Sequence, residues 1–384
     1  MPENNTLVNF PKRILLLSPY DAVSHRYWHT GLVKAFPEIE WTVLALPPRY
    51  FSWRIRGNSL TLGMGYRDIL LKPYDLIIAT SMTDLSSLRG LVPELSKIPT
   101  IVYFHENQFV YPTQENIVDS VGAQIVTLYS ALAADCVVFN TRYNQETFIV
   151  GAKKLLNQLP DGVPKNVISE IVRKSRVVPV PLQADHLFQV KSTVSEPKLQ
   201  IVWNHRWEYD KAPERFFSAI AQLAAKTTSM CIHVVGQQFR SKPPCFAEFY
   251  QKYSGIVGQW GFIDSCKDYH QLLANSDVVV STALHDFQGI AIQEAVAFGC
   301  IPVVPDRLAY PYLFSKEYCY QSNVDDIENE TDGLVKRLYQ LVVAKQENKF
   351  PQAPVMQKWY WSSLKEDYAS LFSQVCSSLT KREL

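Results

Sequence analysis

The stretch 281–306 brings polar side chains and a glycine to the junction of a predicted strand and a predicted helix. The β-branched run Asp277–Ser281 predicts a buried parallel strand, and Gly289 begins an apolar helix that carries Glu294. Ligands of open α/β sheets bind outside the carboxyl ends of the strands, and the N–H groups of a helix N-terminus attract anions. This turn is therefore a candidate seat for a diphosphate, with Asp286 and Glu294 available to bind hydroxyl groups.

Two cationic side chains follow the predicted strand Leu199–Trp203. Arg206 and Lys211 lie in the sequence WNHRWEYDK, at the carboxyl end of that strand. A guanidinium group binds a phosphate through two hydrogen bonds and an ammonium group adds a point charge, so the pair would stabilise a diphosphate leaving group. The alternative is a solvated loop in which Arg206 forms an ion pair with Glu208 or Asp210.

A second polar sequence, FHENQ, follows the predicted strand Ile101–Phe104. His105 and Glu106 lie where a topological switch point places catalytic groups. The alternative is that these polar residues form a turn or cap a helix, as residues after a buried strand often do.

Two further predicted strand ends carry polar residues. The sequence SPYDAVSH follows the first strand and lacks the G-x-G-x-x-G spacing of a dinucleotide-binding turn. Ser24 caps the next helix or, like His25, is directed at a substrate. Asn140 and Thr141 follow the run Val137–Phe139, and they contact a ligand or cap the helix that comes next.

The region 41–67 is basic and aromatic and contains no carboxylate. The stretch 151–178 adds six basic residues against two acidic ones, a net charge of +4. Guanidinium groups and aromatic rings suit the phosphates and unpaired bases of RNA, whereas the alternative is a set of ordinary solvated loops. The side chains concerned in region 41–67 are Arg49, Arg54, Arg56, Arg67, Tyr50, Phe51, Trp53 and Tyr66.

Apolar strands alternate with helical patterns along the chain, which predicts an α/β fold with doubly wound parallel sheets. The pattern restarts after the polar stretch 182–198, so we expect two Rossmann-like domains that face each other across a cleft. The predicted boundaries are 1–185 for an N-terminal acceptor domain, 186–198 for a linker, 199–355 for a C-terminal donor domain and 356–384 for a terminal helix that can cross back to the N-terminal domain. The main predicted elements are strands at Arg13–Ser18, Trp41–Leu46, Leu76–Ala79, Ile101–Phe104, Val137–Phe139, Arg176–Val180, Leu199–Trp203, Cys231–Val235 and Ile301–Val304, and helices at Arg26–Phe36, 117–134, 141–157, Pro213–Lys226, 264–275, 324–346 and 359–379.

The composition excludes several classes of protein. The chain has 384 residues and a net charge of +1, so total charge gives no argument for nucleic acid binding. Its seven cysteines are scattered without a C-x-x-C pair, which argues against a zinc site or a disulfide framework and is typical of reduced thiols. No apolar run has the length of a signal-peptide core or a membrane span, so we expect a cytoplasmic protein without a membrane span.

Taken together, these residues resemble a retaining GT-B glycosyltransferase. That class holds a sugar-nucleotide donor mainly on the second of two Rossmann-like domains, and its signature is Glu-x7-Glu with a glycine between the carboxylates. The frame here is Asp286-x7-Glu294, with an aspartate as the first carboxylate and Gly289 between. The Arg206 and Lys211 pair matches the diphosphate-binding pair of the class.

A narrower resemblance, to the tRNA-queuosine α-mannosyltransferase family, covers about residues 14–315. It implies transfer of mannose from GDP-mannose to the cyclopentenediol of queuosine in tRNA-Asp with retention of configuration. It also implies a tRNA partner, no required metal or other cofactor, and no obligate protein partner. The motifs that carry it, in order, are an SH pair near the start, LPPRYFSWRIRG, FHENQFVYP, VVFNTRYN, WNHRWEYDK and HDFQGIAIQEAVAFGC.

The resemblance, with the strand-end positions, assigns a role to each candidate residue. Two alternatives stay open: a glycosyltransferase with a lipid or glycan acceptor, and a non-enzymatic protein that binds sugar nucleotides. The candidate catalytic residues are His105, Glu106 and Asp286. The candidate donor-binding residues are Asn204, Arg206, Lys211, Gly236, Gly289, Ile290 and Glu294. The candidate acceptor-binding residues are Ser24, His25, Arg49, Trp53, Arg54, Arg56, Asn107 and Asn140.

Overall fold

The computed structural model describes residues 10–110, 120–183, 196–239 and 242–380. Most of the predicted linker, residues 186–195, lies outside these ranges. The chain forms two compact units, of which the first comprises Met1–Gln183 with Trp361–Leu384 and the second comprises Ala184–Tyr360. Each unit is built on a parallel sheet with helices, which confirms the predicted α/β class.

The first unit alternates strands and helices along the chain. Its strand β1 (Arg13–Ser18) places four consecutive apolar side chains, at 14–17, entirely out of solvent, as a central parallel strand requires. The elements that follow are α1 (Val23–Ala35), β2 (Glu40–Ala45), α2 (Phe51–Gly65), α3 (Arg67–Leu70), β3 (Leu76–Thr80), α4 (Leu85–Leu91), β4 (Thr100–Phe104), α5 (Ser120–Ala133), β5 (Cys136–Phe139), α6 (Arg142–Gln158), α7 (Val167–Arg173) and β6 (Ser175–Val177).

The described strands of the first unit are parallel and lie in the order β2-β1-β3-β4-β5-β6. The chain leaves β1 toward one edge of the sheet and then returns to build the other edge from β3 onward. The topological switch point therefore lies between β1 and β3, where a doubly wound sheet opens its ligand-binding crevice.

The helices of the first unit differ from the sequence predictions, since α1 begins before the predicted Arg26 and helices α2, α3, α4 and α7 were not predicted. Helix α1 begins at Val23, with Ala22 at its N-cap, so Ser24 lies in the first turn and does not cap the helix. Helix α2 was absent from the predicted elements. Its buried face mixes apolar Ile55 and Leu62 with buried polar residues such as Asn58, and these polar residues mask the apolar periodicity that reveals a helix.

The second unit repeats the alternation. Its elements are β7 (Leu199–Trp203), α8 (Pro213–Ala224), β8 (Met230–Val235), α9 (Cys245–Tyr253), β9 (Val257–Gly261), α10 (Cys266–Asn275), β10 (Val278–Val280), α11 (Ile290–Ala297), β11 (Ile301–Pro305), α12 (Tyr310–Leu313), β12 (Cys319–Tyr320) and α13 (Ile327–Gln346). The described strands are parallel and lie in the order β12-β11-β10-β7-β8-β9. This is the Rossmann order, and its switch point lies between β7 and β10.

Helix α14 (Trp361–Thr380) completes the first unit. The Tyr368 hydroxyl is buried there, where it accepts a hydrogen bond from the indole N–H of Trp28 at 2.9 Å and donates one to the carbonyl of Pro179 at 2.9 Å. The ring of Phe372 packs on Phe36 with centroids 5.4 Å apart. Helix α14 is thus part of the core of the first unit.

Candidate active site

The switch point of the second unit gathers the polar residues that the sequence placed after β7 and β10. The ammonium of Lys211 is its buried centre. The Nζ atom donates to the carbonyl oxygen of His285 at 2.5 Å, and it lies 3.2 Å from Asp210 Oδ2 and 4.0 Å from Asp286 Oδ2. Residues about 75 positions apart in sequence are therefore joined around one fixed positive charge.

The Arg206 guanidinium lies beside the same cluster but is 44% exposed. Its Nη1 atom forms an ion pair with Glu208 Oε2 at 2.7 Å, and Nη2 lies 3.8 Å from Asp210 Oδ2. The alternative that the sequence offered for Arg206, a pair with Glu208 or Asp210, is thus present in the structure. Burial raises the pKa of the Glu208 carboxyl despite the adjacent guanidinium.

The Asp286 carboxylate is held by the turn and by a relay of hydroxyl groups. Its Oδ1 accepts from the backbone N–H of Gly289 at 2.8 Å, and its Oδ2 accepts from the Tyr310 hydroxyl at 3.1 Å. The Ser281 hydroxyl donates in turn to Tyr310 at 2.7 Å. Burial opposes ionisation of Asp286, but the charge of Lys211 and these hydrogen bonds outweigh it and hold the pKa below its usual value.

His205 ends this relay as a neutral side chain. Its Nε2 atom lies 3.1 Å from the Ser281 hydroxyl oxygen, which already donates to Tyr310, so Nε2 carries the proton. Burial, reinforced by the nearby Lys211 charge, lowers the pKa of His205 to about 3. The site therefore rests on an uncharged imidazole at neutral pH.

Two glycines make the backbone of the site possible. Gly289 has φ 69° and precedes α11, so the turn reaches the helix through a left-handed residue. Gly236 has φ 145°, and a Cβ atom there would lie 1.9 Å from the carbonyl oxygen of His205. A side chain at position 236 would therefore displace the loop that carries Arg206.

The helix α11 is tied to the end of β7 through Asn204. The Asn204 amide donates to the carbonyl of Ala291 at 2.8 Å and to the Tyr269 hydroxyl at 3.0 Å. Glu294 lies on the same helix, and burial, followed by the Glu294 charge, raises the pKa of Tyr269. Ile290 is the first helical residue, and its N–H belongs to the first turn, where no earlier helical carbonyl can accept it.

A buried charged triad, which the sequence analysis missed, supports the turn after β10. Glu330 lies between Arg215 at 3.0 Å and Arg307 at 2.5 Å. Arg307 also donates to the carbonyls of Thr282 and Ala283, at 3.1 and 3.0 Å. No spacing in the sequence could reveal the triad, because its members lie more than twenty residues apart along the chain.

The switch point of the first unit holds Glu106. The hydroxyl of Ser81, directly after β3, donates to its Oε1 at 2.8 Å, and His25 Nε2 on α1 lies 3.0 Å from its Oε2. The predicted residues His25 and Glu106 are therefore in direct contact, although 81 residues separate them. Ser81 was not among the predicted site residues, although its position directly after an apolar run could have indicated it.

His105 lies in an aromatic stack next to this carboxylate. Its ring centroid lies 4.3 Å from that of His25 at an interplanar angle of 25°, and it forms a T-shaped contact with Trp28 at a centroid distance of 4.8 Å. Burial lowers the pKa of His105 well below its usual value, and the neighbouring His25 adds to the effect. The buried Nε2 atom of His105 has no hydrogen-bond partner among the described residues.

The amides of Asn107 and Asn140 lie in one buried network behind His105. Asn140 donates to the carbonyl of His105 at 2.8 Å, and Asn107 donates to Asn144 Oδ1 at 2.9 Å. Asn144 also donates to Asn140 Oδ1 at 2.9 Å. Thr141 is the N-cap of α6, which was one of the two roles considered for it from the sequence. The amides of Asn107 and Asn140 therefore hold the loop that carries His105.

The basic and aromatic side chains of region 41–67 lie before, on and after α2, and Arg67 begins α3 with its guanidinium 3.4 Å from Glu94 Oε1. Arg49, Trp53 and Arg56 are exposed, Arg54 is half-buried, and Ser24 is exposed on α1. The guanidinium carbon of Arg49 lies 5.7 Å from the ring centroid of Tyr50. Ser24 thus lies on α1, Arg49 lies before α2, and Trp53, Arg54 and Arg56 lie on α2.

Neither a metal site nor a membrane-spanning helix is found in the part of the chain that the structure describes. Its histidine, cysteine and carboxylate side chains nowhere come together in groups of three or more that could hold a metal ion. The described helices fall short of the length and apolar character that a bilayer crossing requires.

Comparison with known proteins agrees with this geometry. A family model for the N-terminal part of tRNA-queuosine alpha-mannosyltransferases matches residues 13–182, and a model for glycosyl transferases group 1 matches residues 186–337. A Drosophila melanogaster tRNA-queuosine alpha-mannosyltransferase is 28% identical over 378 residues, which cover 94% of this chain and 96% of the relative. The chain is thus similar to tRNA-queuosine alpha-mannosyltransferases along nearly its whole length, and its second unit matches the group 1 glycosyl transferases. The protein is accordingly an enzyme, a hexosyltransferase.

Solved structures of other glycosyltransferase-like proteins share its GT-B fold. A sucrose-phosphate synthase from Thermosynechococcus elongatus is 12% identical with a TM-score of 0.66, over 96% of this chain and 100% of that one. An Anabaena protein in complex with UDP and glucose is 15% identical with a TM-score of 0.61, over 94% of this chain and 99% of that one. At these identities the likeness concerns the fold alone.

Proposed function

We propose that the protein transfers mannose from GDP-mannose to queuosine in tRNA-Asp with retention of configuration. The observation that carries the proposal is the Lys211 ammonium, buried beside Asp286 and next to the N-terminus of α11 at a Rossmann switch point. A fixed charge and the N–H groups of a helix N-terminus at one strand edge suit the diphosphate of a sugar nucleotide.

The diphosphate has to compete with carboxylates for the cations of this site. Arg206 and Lys211 face three carboxylates, from Glu208, Asp210 and Asp286. Arg206 is 44% exposed, so its guanidinium can turn from Glu208 to a phosphate without a change of fold. Lys211 stays in place, because a backbone carbonyl and a carboxylate hold its Nζ atom. In this proposal both charges stabilise the leaving diphosphate, with no metal required.

The other donor contacts follow from the position of each group. Asp286 orients the hydroxyl groups of the sugar, and Glu294 on α11 binds those of the ribose. Asn204 and Gly236 shape the backbone around the nucleotide. The N–H groups at Gly289 and Ile290 add a partial positive charge to the diphosphate seat.

The first unit is assigned to the acceptor and the sugar. His105 stays neutral because of its lowered pKa, so it positions a sugar hydroxyl and does not bind phosphate. Glu106 accepts a hydrogen bond from an acceptor hydroxyl, held by Ser81 and His25. Asn107 and Asn140 brace the loop that carries both groups. In a retaining transfer the leaving diphosphate itself takes the proton of the acceptor.

The test is a transfer assay with tRNA that contains queuosine. The wild-type protein is incubated with GDP-mannose, GDP-glucose, UDP-glucose or UDP-galactose, and the nucleosides of the digested tRNA are weighed by mass spectrometry. We expect one hexose on queuosine with GDP-mannose, none on tRNA that lacks queuosine, and removal of that hexose by an α-mannosidase. The last result shows retention, because the donor is itself α-linked.

The variant Arg206→Ala should lose transfer, because the diphosphate loses its exposed guanidinium. Lys336→Ala, which removes an exposed cation from α13, is the matched control and should keep wild-type turnover. Transfer from a UDP-sugar would contradict the proposed donor. Transfer to a lipid or to tRNA without queuosine would contradict the proposed acceptor. A tRNA substrate also makes the cytoplasm the expected site of action.

A further inference from the structure

We infer that helix α2 carries a stacking platform for an unpaired base of the acceptor RNA, formed by the Trp53 indole lying across Gly57. The inference rests on the proposed tRNA function and adds to it the element that grips the RNA. Gly57 is the positioning residue of this platform, and the binding surface comprises Arg49, Tyr50, Trp53 and Arg56.

The contact between Trp53 and Gly57 fixes how the indole is oriented. A Cβ atom at Gly57 would lie 2.6, 2.6 and 2.7 Å from Cε2, Cζ2 and Cη2, three successive atoms of the six-membered ring. An edge-on approach would leave the two outer atoms clearly farther away than the middle one. The nearly equal distances therefore mean that one ring face lies flat on the helix at position 57.

The opposite face of the indole is turned to solvent. Trp53 is 55% exposed although one of its ring faces is covered, and Tyr50, one turn before it, is 72% exposed. Large aromatic rings are normally buried, so two neighbouring rings held open at a helix start indicate a binding surface. A flat, fixed and exposed ring face is what a nucleobase needs for stacking.

The arginines around Tyr50 and Trp53 favour a nucleic acid as the partner of this surface. Region 41–67 contains four arginines and no carboxylate, and the Arg49 guanidinium lies 5.7 Å from the Tyr50 ring centroid. Rings with guanidinium groups beside them match a single strand, in which each base is followed by a phosphate. The exposed Leu60 and Met64 lie farther along α2, where a lipid surface would also find apolar contacts, and the experiment separates the two partners.

The experiment compares two ways of removing the platform. Trp53→Ala deletes the ring, whereas Gly57→Ala keeps the ring and forces it off the helix. Alanine favours helix more than glycine does, so the second variant keeps α2 folded. Gly65→Ala is the matched control, because a Cβ atom there meets nothing within 4 Å and the helix gains the same alanine.

Binding is measured by fluorescence anisotropy with a labelled tRNA-Asp transcript and with a fully paired RNA duplex of similar length. We expect Trp53→Ala and Gly57→Ala each to bind the transcript about tenfold more weakly or worse, because one base loses its stack. Gly65→Ala should bind like the wild type. The duplex should bind all four proteins alike, since it offers no unpaired base, and KM for GDP-mannose should not change.

Wild-type affinity of both platform variants for the transcript would overturn the inference. So would an equal loss in Gly65→Ala, which would indicate a general effect on α2. Loss of binding to vesicles of phosphatidylcholine and phosphatidylserine, with RNA binding intact, would assign the surface to a membrane instead. Failure of the proposed function is seen separately, as absence of mannose transfer by the wild-type protein, whatever the variants bind.

Discussion

The two units place polar groups at the same point of related folds but build opposite environments there. The second unit surrounds Lys211 with carboxylates and gives its proposed diphosphate site two cations, one fixed and one exposed. The first unit surrounds Glu106 with a hydroxyl and stacked imidazoles, and its buried His105 is neutral. The contrast fits a division of labour in which one unit handles the charge of the donor and the other handles hydroxyl groups.

The contrast has a physical basis in how each site tolerates burial. A buried ammonium needs partners within contact distance, so the second site is dense with ion pairs. A buried imidazole can simply lose its proton, so the first site can pack rings face to face. The first site is therefore formed mainly by packed rings, and the second mainly by charged groups. Substitutions in either site test this distinction.

The largest effect should come from Lys211→Met. The change removes the fixed positive charge at the proposed diphosphate seat, and we expect kcat/KM for GDP-mannose to fall by about 10²–10³-fold. The change also leaves Asp210 and Asp286 without their ammonium, so urea unfolding should show a loss of about 3 kcal/mol. Lys226→Met removes an exposed lysine and is the control. Wild-type KM for the donor would contradict the role assigned to Lys211.

A smaller and different effect should follow from Glu106→Gln. The amide keeps the shape but not the charge that holds His25 and Ser81, so kcat/KM for tRNA should fall about 10- to 100-fold. KM for GDP-mannose should stay within twofold, since the donor seat is untouched. Glu38→Gln, at an exposed position, gives the baseline. If Glu106→Gln raised the donor KM as Lys211→Met does, the division of labour would be wrong.

The smallest effect is a pH dependence of stability carried by His205. Its pKa in the folded protein is about 3, below the unperturbed 6.5, so below pH 6.5 the unfolded chain binds a proton that the folded chain does not. The free energy of unfolding thus has its full value above pH 6.5, and it falls below that pH by about 1.4 kcal/mol per pH unit. His205→Gln removes this contribution.

The measurement for His205 is urea unfolding of both proteins at pH 7, 6 and 5. Between pH 7 and 5 the wild type should lose about 2 kcal/mol more than His205→Gln. Parallel curves would mean that His205 is as accessible to protons in the folded protein as in the unfolded chain. That result would remove the neutral imidazole from the description of the donor site.

Much of the fold was predictable because buried parallel strands leave an unmistakable run of apolar residues. The predicted strand Arg13–Ser18 and the predicted strand Leu199–Trp203 match the observed ones in both boundaries. Helix α2 was missed because polar Asn58 and Ser59 are buried within its inner face. There the side chains satisfy local contacts, so hydrophobic periodicity carries no signal.

The candidate site divides in the same way. The positions of Lys211, Asp286 and Glu106 could be predicted, because they follow buried strands and the carboxyl ends of parallel strands lie at one edge of a sheet. The partner of each group could not. Only the folded structure shows that His25 contacts Glu106, 81 positions away in sequence, and that the Lys211 ammonium donates to the carbonyl of His285.

Two α/β units and the groups that follow their strands can be read from the amino-acid order, because apolar runs and turn residues are local properties. Whether each of these groups is charged, neutral or open to a partner is known only from the folded chain. Those outcomes depend on burial and on neighbours distant in the chain, as with the lowered pKa of His105 and the exposed face of Trp53. Electrostatics and exposure are set by the whole fold, and no spacing of residues encodes them.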